Sequence, residues 1–226
     1  MGKNDFSNEV VENYQQKCCC SLVLDVSGSM YGQPLDELNK GLQDFHKEIQ
    51  EDATTSSRLE VAVITFGSDI DTLVEPSLVE NFTMPTLTTK GSTRLVDGVR
   101  EGIQKVEDRK KWYKDTGQPY YRPWVILITD GEPDSGQDVG GLAGEIKDGM
   151  DNKKFHFFAI GVKGANMSVL KQISGDKMPP AMLSGLKFSA FFKWLSQSMG
   201  AVTSSTDGQK IDMPDPTSWM DGFEID

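Results

Sequence analysis

A buried strand that runs straight into a polar loop constrains this chain more than any other stretch. Residues 18–24 form an apolar run that stops at Asp25, and Val-Ser-Gly-Ser follows it. Apolar runs of this length bounded by turn residues are typical of buried, parallel strands. Beyond the run, Asp25, Ser27 and Ser29 recur at every second position, and Gly28 gives the loop the backbone freedom to curl around one point.

One carboxylate and two hydroxyls aimed at one spot form an all-oxygen set, which suits a hard divalent cation. The simpler alternative is a Ser/Gly turn that caps a helix, with Asp25 merely ending the strand. The two interpretations differ in whether further oxygen ligands lie where the fold would bring them.

Apolar periodicity divides the rest of the chain into alternating strands and helices. Residues 124–129 are the most hydrophobic stretch and are predicted to form a central parallel strand. The short link between the strands at 59–66 and 70–75 predicts an antiparallel hairpin at a sheet edge, ended by Pro76. Taken together, the pattern predicts strands at 18–25, 59–66, 70–75, 124–129, 155–162 and 180–186, and helices at 33–51, 95–106, 139–150, 167–173 and 188–199.

These elements predict an α/β fold with a Rossmann-like open sheet, mostly parallel with one antiparallel edge strand, and helices on both faces. In the strand order 3-2-1-4-5-6, ligands gather at the carboxyl ends of the strands, between the first and the fourth strand. Asp25 ends the first strand, Asp130 follows the fourth, and Thr93 opens the helix that leads towards the fourth. We therefore expect three chain segments to deliver oxygen ligands to one crevice.

The domain organisation follows from where this pattern starts and stops. We expect one domain at 18–200, between a polar lead-in at 1–17 and a flexible acidic tail at 201–226. Polar residues at 108–118 are predicted to form an exposed excursion. The tail holds Trp219 and Phe223 among acidic residues, a composition found in short docking peptides. The alternatives are that the tail lies back across the domain or stays disordered.

Charge and cysteine usage argue against several functions. A formal net charge of −11 disfavours nucleic acid and anionic membranes as partners. No apolar stretch approaches the roughly 20 residues needed to span a membrane, and the N-terminus lacks the apolar region of a secretory signal. Cys18, Cys19 and Cys20 are consecutive in one strand and cannot staple distant parts of the chain. We expect them to be small buried hydrophobes in a reducing compartment, which favours a cytoplasmic location.

The pattern Asp25-x-Ser27-x-Ser29, with Thr93 and Asp130, resembles the metal-ion-dependent adhesion site of von Willebrand factor A (VWA) domains. The resemblance covers roughly residues 18–200. It implies three hydroxyl ligands and two carboxylates that act directly or through water. It also implies Mg²⁺, with Mn²⁺ or Ca²⁺ as the alternatives. In that family an acidic side chain of a partner protein completes the metal's coordination, so the chain is expected to be a non-enzymatic protein-binding module.

A narrower resemblance is carried by Tyr-Tyr-Arg-Pro-Trp at 120–124 and by the aromatic helix at 188–198. These stretches are similar to the cytoplasmic, tellurite-resistance-associated (TerY-like) VWA proteins. That branch implies a bacterial stress-response protein that works with a protein kinase and a PP2C-type phosphatase. Burial in the core explains the same aromatic residues equally well.

Two other functional classes stay open as alternatives. A metal-dependent phosphohydrolase needs a base or nucleophile beside the ion. His156 starts its strand, far from the ligand end, and His46 lies on the flank of the first helix, so neither suits that role. An exported adhesin is the second alternative, and the absent signal and the thiol cluster disfavour it.

Overall fold

The fold is organised around one twisted sheet in this computed structural model, which describes residues 6, 9–11, 13–206 and 210–221. Within these residues the sheet has seven strands in the order β3-β2-β1-β4-β5-β6-β7. Strands β2, β1, β4, β5 and β6 pair in parallel, and β3 runs antiparallel at one edge, as the sequence predicts. The predicted Rossmann-like fold class is confirmed, and β7 adds a second antiparallel strand at the opposite edge. The strands are β1 Cys18–Asp25, β2 Leu59–Phe66, β3 Ile70–Leu78, β4 Trp124–Thr129, β5 His156–Gly161, β6 Ala181–Leu183 and β7 Met220–Asp221.

Helices cover both faces of the sheet. Helices α1 and α6 pack on one face, and α3, α4 and α5 pack on the other. None of the described helices is long and apolar enough to cross a membrane. The helices are α1 Gln33–Glu51, α2 Ala53–Ser56, α3 Leu95–Thr116, α4 Val139–Asp151, α5 Met167–Ser174 and α6 Phe188–Ser204, with 3₁₀ turns at Gly28–Met30, Val79–Asn81 and Pro216–Ser218.

Strand β1 lies at the centre of the core, and its alternating side chains feed both faces. Cys18 and Cys20 pack with the α1 and α6 side, and Cys19 packs with the α3 side. All three thiols are fully buried and free, as the sequence predicts for small core residues. Burial raises the pKa of Cys18 to about 12 and raises that of the other two as well.

The exposed excursion predicted at 108–118 is wrong, because α3 continues to Thr116 with a charged but buried inner face. The guanidinium of Arg109 binds both carboxylate oxygens of Glu60 on β2, at 2.6 and 2.8 Å. Tyr113 donates a further hydrogen bond to Glu60 at 2.5 Å, and Arg109 also pairs with Glu9 of the lead-in. The ring of Phe6 lies 5.0 Å from the Arg109 guanidinium, so these lead-in residues contact the domain. Mutual neutralisation allows this polar face to be buried.

Two other elements are longer than predicted. Strand β3 passes through Pro76 and ends at Leu78, which an edge strand tolerates because one of its two hydrogen-bonding sides is unpaired. Its pairing with β2 shifts register near Val63. Helix α6 runs five residues past its predicted end, to Ser204.

The C-terminal segment lies back across the domain, which is one of the alternatives stated for the tail. Strand β7 pairs with β6, and Trp219 is 2% exposed. Its ring packs 5.0 Å from that of Phe191 and 5.2 Å from that of Trp194. Burial of this large apolar surface fixes the segment. Phe223, named in the docking-peptide hypothesis, lies outside the described residues.

A close approach of α3 to β1 depends on Gly102. A Cβ at this position would lie 2.3 Å from Cγ2 of Val23. On α4, by contrast, a Cβ at Gly144 would meet nothing within 4 Å.

We predict that Gly102→Ala lowers the free energy of unfolding by about 1–3 kcal/mol, because the added methyl overpacks the helix–sheet contact. Gly144→Ala is the matched control and should raise it by roughly 0.5–1 kcal/mol, because alanine loses less backbone entropy in a helix. Urea unfolding of both variants measures the difference. Equal effects at the two positions would contradict this account of the α3–β1 contact.

His156 gives the fold a pH dependence. It opens β5 opposite Trp124, and the two rings meet edge-on at 6.0 Å. Burial, with a smaller contribution from the charge of Arg122, lowers the pKa of His156 to about 4.

Because the unfolded chain protonates this imidazole near pH 6.5 and the folded chain only near pH 4, the unfolded state binds more protons between these values. Stability contributed by neutral His156 is therefore present above pH 6.5 and is lost as the pH falls towards 4. We predict that acidification over this window destabilises wild type more than His156→Phe, by about 1–3 kcal/mol. Denaturation of both proteins across the window tests this, and parallel curves would refute it.

Candidate functional site

The candidate site lies where two neighbouring parallel strands end. Strands β1 and β4 pair with Leu24 opposite Ile128, so Asp25 reaches the end of the sheet beside Thr129. The Thr129 hydroxyl donates a 2.5 Å hydrogen bond to Oδ2 of Asp25. Asp130 is the next residue in the chain after Thr129. The register of the strands therefore delivers one carboxylate from each to the same edge.

The loop after β1 curls over this edge and brings its hydroxyls inward. The Ser27 amide donates to Oδ1 of Asp25 at 2.8 Å. The hydroxyls of Ser27 and Ser29 are 3.0 Å apart, and the Ser29 hydroxyl donates to Oδ1 of Asp130 at 2.7 Å. Hydrogen bonds therefore link these four residues in an unbroken series from the end of strand β1 to Asp130, which follows strand β4.

Thr93 comes from the loop that precedes α3. Two backbone hydrogen bonds attach this loop to the β1 loop, from Lys90 to Val26 at 2.6 Å and from Gly28 to Gly91 at 2.8 Å. Oγ1 of Thr93 and Oδ2 of Asp25 both lie 3.5 Å from the point where a Cβ on residue 131 would stand. Glycine at 131 therefore leaves open the space between them. The structure thus brings all five predicted residues to one crevice.

Both carboxylates are buried in an environment that disfavours their charge. Asp25 is fully buried and Asp130 is 9% exposed. Burial raises the pKa of both, although hydrogen bonds from Ser27 and Thr129 to Asp25, and from Ser29 to Asp130, lower it in part. The charge of Asp130 raises the pKa of Asp25 further. No positively charged side chain of the described residues is among the groups that shift the pKa of either carboxylate.

This donor set fits a hard divalent cation. Two buried carboxylates without a cationic partner leave unfavourable negative charge, and a bound cation would offset it. Three hydroxyls supply neutral oxygen ligands of the kind that Mg²⁺ accepts. The described residues contain no group of three or more His, Cys, Asp or Glu side chains arranged to hold a metal, and this site has only two carboxylates, so its other oxygen ligands would be hydroxyls.

Two supporting residues were missed from the sequence. Thr129 orients Asp25, as described above, and the strand register would have been the signal for it. Both carboxylate oxygens of Asp134 accept a hydrogen bond from the Thr93 amide, at 3.1 Å. The Gln137 side chain donates to the Thr93 carbonyl at 2.6 Å. The amide and the carbonyl of Thr93 are therefore both fixed by hydrogen bonds to side chains.

Neither histidine of the chain adjoins this site. His156 lies at the opposite, amino-terminal end of β5. Nε2 of His46 lies 3.1 Å from the carbonyl oxygens of both Val79 and Phe82. These contacts give His46 a structural role in holding that loop against α1. The imidazole base that a metal-dependent phosphohydrolase could use is absent from the crevice.

Comparison with solved structures shows the same fold in two pilus proteins. The pilus adhesin SpaC from Lactobacillus rhamnosus GG, in its open conformation, superposes with a TM-score of 0.66 and 16% identity, over 81% of this chain and 30% of SpaC. The vWF domain of the type V pili tip protein Mfa5 from Porphyromonas gingivalis gives a TM-score of 0.59 and 11% identity, over 86% of this chain and 99% of that domain.

Sequence comparison points to the same family. The collagen alpha-5(VI) chain of Mus musculus is 40% identical over 60 residues, which is 26% of this chain and 2% of the collagen chain. This chain therefore spans only a small part of that relative and less than a third of SpaC. The family model for the von Willebrand factor type A domain matches residues 21–191. The protein belongs to the von Willebrand factor type A domain family.

Proposed function

We propose that this VWA domain is a non-enzymatic protein-interaction module that binds a divalent cation through Asp25, Ser27, Ser29, Thr93 and Asp130. The cation is Mg²⁺, with Mn²⁺ and Ca²⁺ as alternatives. VWA domains are mostly interaction modules, and the match to the family supports this general role. The observation that carries the proposal is the series of hydrogen bonds that links the buried carboxylates of Asp25 and Asp130, which have no cationic partner among the described residues.

The donor chemistry also suggests what the module captures. Two carboxylates and three hydroxyls bring two negative charges to a divalent ion, so a further anionic ligand is not strongly repelled. Ser29 and Gly28 are exposed at the mouth of the crevice, where a partner can approach. We infer that a carboxylate from an acidic side chain of a partner protein is the ligand.

The biological setting is a further part of the proposal. Similarity to the TerY-like branch supports a cytoplasmic role in a bacterial tellurite-resistance or stress-response system, with a protein kinase and a PP2C-type phosphatase as partners. The alternative of an exported adhesin draws on the pilus proteins that share the fold, but identities of 11–16% support the fold alone. Cell fractionation distinguishes the two settings.

Metal binding is tested by thermal unfolding. Because ligand binding to the folded state stabilises it, Mg²⁺ at about a hundred times its Kd should add roughly 2.7 kcal/mol to the free energy of unfolding and raise the Tm of wild type by several degrees. Asp130→Asn and Asp25→Asn should lose this increase, because each removes a charged ligand while keeping the shape of the side chain. Asp115→Asn is the control, since Asp115 is exposed on α3. An undiminished Mg²⁺ effect in Asp130→Asn would place the ion elsewhere.

Partner capture is tested by affinity purification from cells of the source organism. We predict that proteins retained by wild type and Asp115→Asn in Mg²⁺ are lost in EDTA and with Asp25→Asn. Capture that persists in EDTA would assign the interaction to another surface.

The phosphohydrolase alternative has its own readout. We predict that p-nitrophenyl phosphate is not turned over above background with Mg²⁺ or Mn²⁺. Turnover that disappears in Asp25→Asn would instead establish an enzyme.

A further inference from the structure

Thr93 differs from the other four candidate ligands in how its side chain is held. Those four are linked to one another by the series of hydrogen bonds described above. No hydrogen bond joins the Thr93 hydroxyl to any of the residues that the structure describes. The position of this hydroxyl therefore depends on what fixes the main chain at residue 93.

The main chain of Thr93 is fixed by the loop that follows β4. The Asp134 carboxylate accepts a hydrogen bond from the Thr93 amide, and the Asp134 amide donates one to the Thr93 carbonyl, each at 3.1 Å. The Gln137 side chain donates to the same carbonyl at 2.6 Å. Its Oε1 accepts a hydrogen bond from the Val96 amide at 2.8 Å. One glutamine thus connects the carbonyl of Thr93 to the first turn of α3.

Gln137 also caps the start of α3. The N-cap residue of this helix, Arg94, makes no side-chain capping hydrogen bond. The first amides of a helix have no partner within the helix, so Gln137 supplies from another loop the acceptor that a capping side chain would provide. The loop that carries Asp130 therefore holds Thr93 and the start of α3 as one unit.

We propose that Gln137, together with Asp134, is a positioning residue that sets the metal affinity of the site by holding the Thr93 hydroxyl in the crevice. The inference rests on the proposed metal-binding function. Residues that orient metal ligands through hydrogen bonds contribute roughly 10–100-fold to metal affinity. The loop after β4 then supplies one ligand itself, Asp130, and fixes the position of a second.

Gln137→Met tests the proposal because it nearly keeps the length of the side chain, removes both hydrogen bonds and changes no charge. Isothermal titration with Mg²⁺ measures the Kd. We predict that Gln137→Met raises the Kd about tenfold. Gln43→Met is the matched control, because Gln43 on α1 likewise donates to a main-chain carbonyl, that of Met84, at 3.0 Å. The control should keep the wild-type Kd.

A double-mutant cycle with Thr93→Val separates positioning from a general structural role. Thr93→Val keeps the shape of the side chain but removes the hydroxyl, so it should itself weaken Mg²⁺ binding. With no hydroxyl left to position, Gln137→Met should change the Kd of the Thr93→Val protein by less than about twofold. Equal effects of Gln137→Met in the two backgrounds would overturn the inference.

Asp134→Asn repeats the cycle at the second contact, and it decides the matter if Gln137→Met does not fold. Removal of the Asp134 charge acts in both backgrounds, so the difference between the backgrounds reports positioning alone. We predict a larger rise in Kd when Thr93 is present than in the Thr93→Val protein. Equal rises in the two backgrounds would contradict a positioning role for Asp134.

Failure of this inference can be told apart from failure of the proposed function. The absence of saturable Mg²⁺ binding by wild type would overturn both. Wild-type binding that Thr93→Val weakens and Gln137→Met leaves unchanged would overturn this inference alone.

Discussion

The parallel pairing of β1 with β4 is the interaction on which the rest of the site depends. The two strands are neighbours although about a hundred residues separate them along the chain, because the chain first builds β2 and β3 on one side of β1 and α3 then returns it to the other side. Their shared register sets Asp25 beside Thr129 and Asp130. The loops after β1 and before α3 add the hydroxyl groups to an arrangement that the hydrogen bonds between β1 and β4 have already fixed. A one-residue slip between the strands would turn the side chains of one of them to the other face of the sheet.

Buried carboxylates at the two ends of the sheet differ in whether the chain supplies a cation to balance them. At the amino-terminal end of β2, Glu60 is neutralised within the chain by Arg109 and hydrogen-bonded by Tyr113. At the carboxyl end of β1, Asp25 is buried with hydroxyl and amide donors but without a cation among the described residues. The first arrangement is complete and structural. The arrangement around Asp25 leaves a negative charge that no cation of the described residues balances. It therefore supports a binding site for a metal cation.

Much of this architecture could be predicted because it follows from local patterns. One apolar stripe fixes α1 at residues 33–51, and the hydrophobic run at 124–129 fixes β4. What could not be predicted depends on distant partners. The polar end of α3 was misread as exposed because its burial depends on Glu60, far away in the chain. The short strand β7 was missed because burial of Trp219 against α6, rather than any strand-like pattern, holds the segment in place.

The site shows the same division between local and distant causes. Its five candidate ligands could be named from spacing and strand ends, whereas Asp134 and Thr129 act by positioning them through tertiary contacts. The three adjacent thiols of β1 have a consequence of another kind. They lie in an interior strand of the sheet with both faces covered, and burial suppresses their ionisation. An alkylating reagent can therefore reach these thiols only when the sheet unfolds. The rate of thiol alkylation then measures the rate at which the domain unfolds under native conditions.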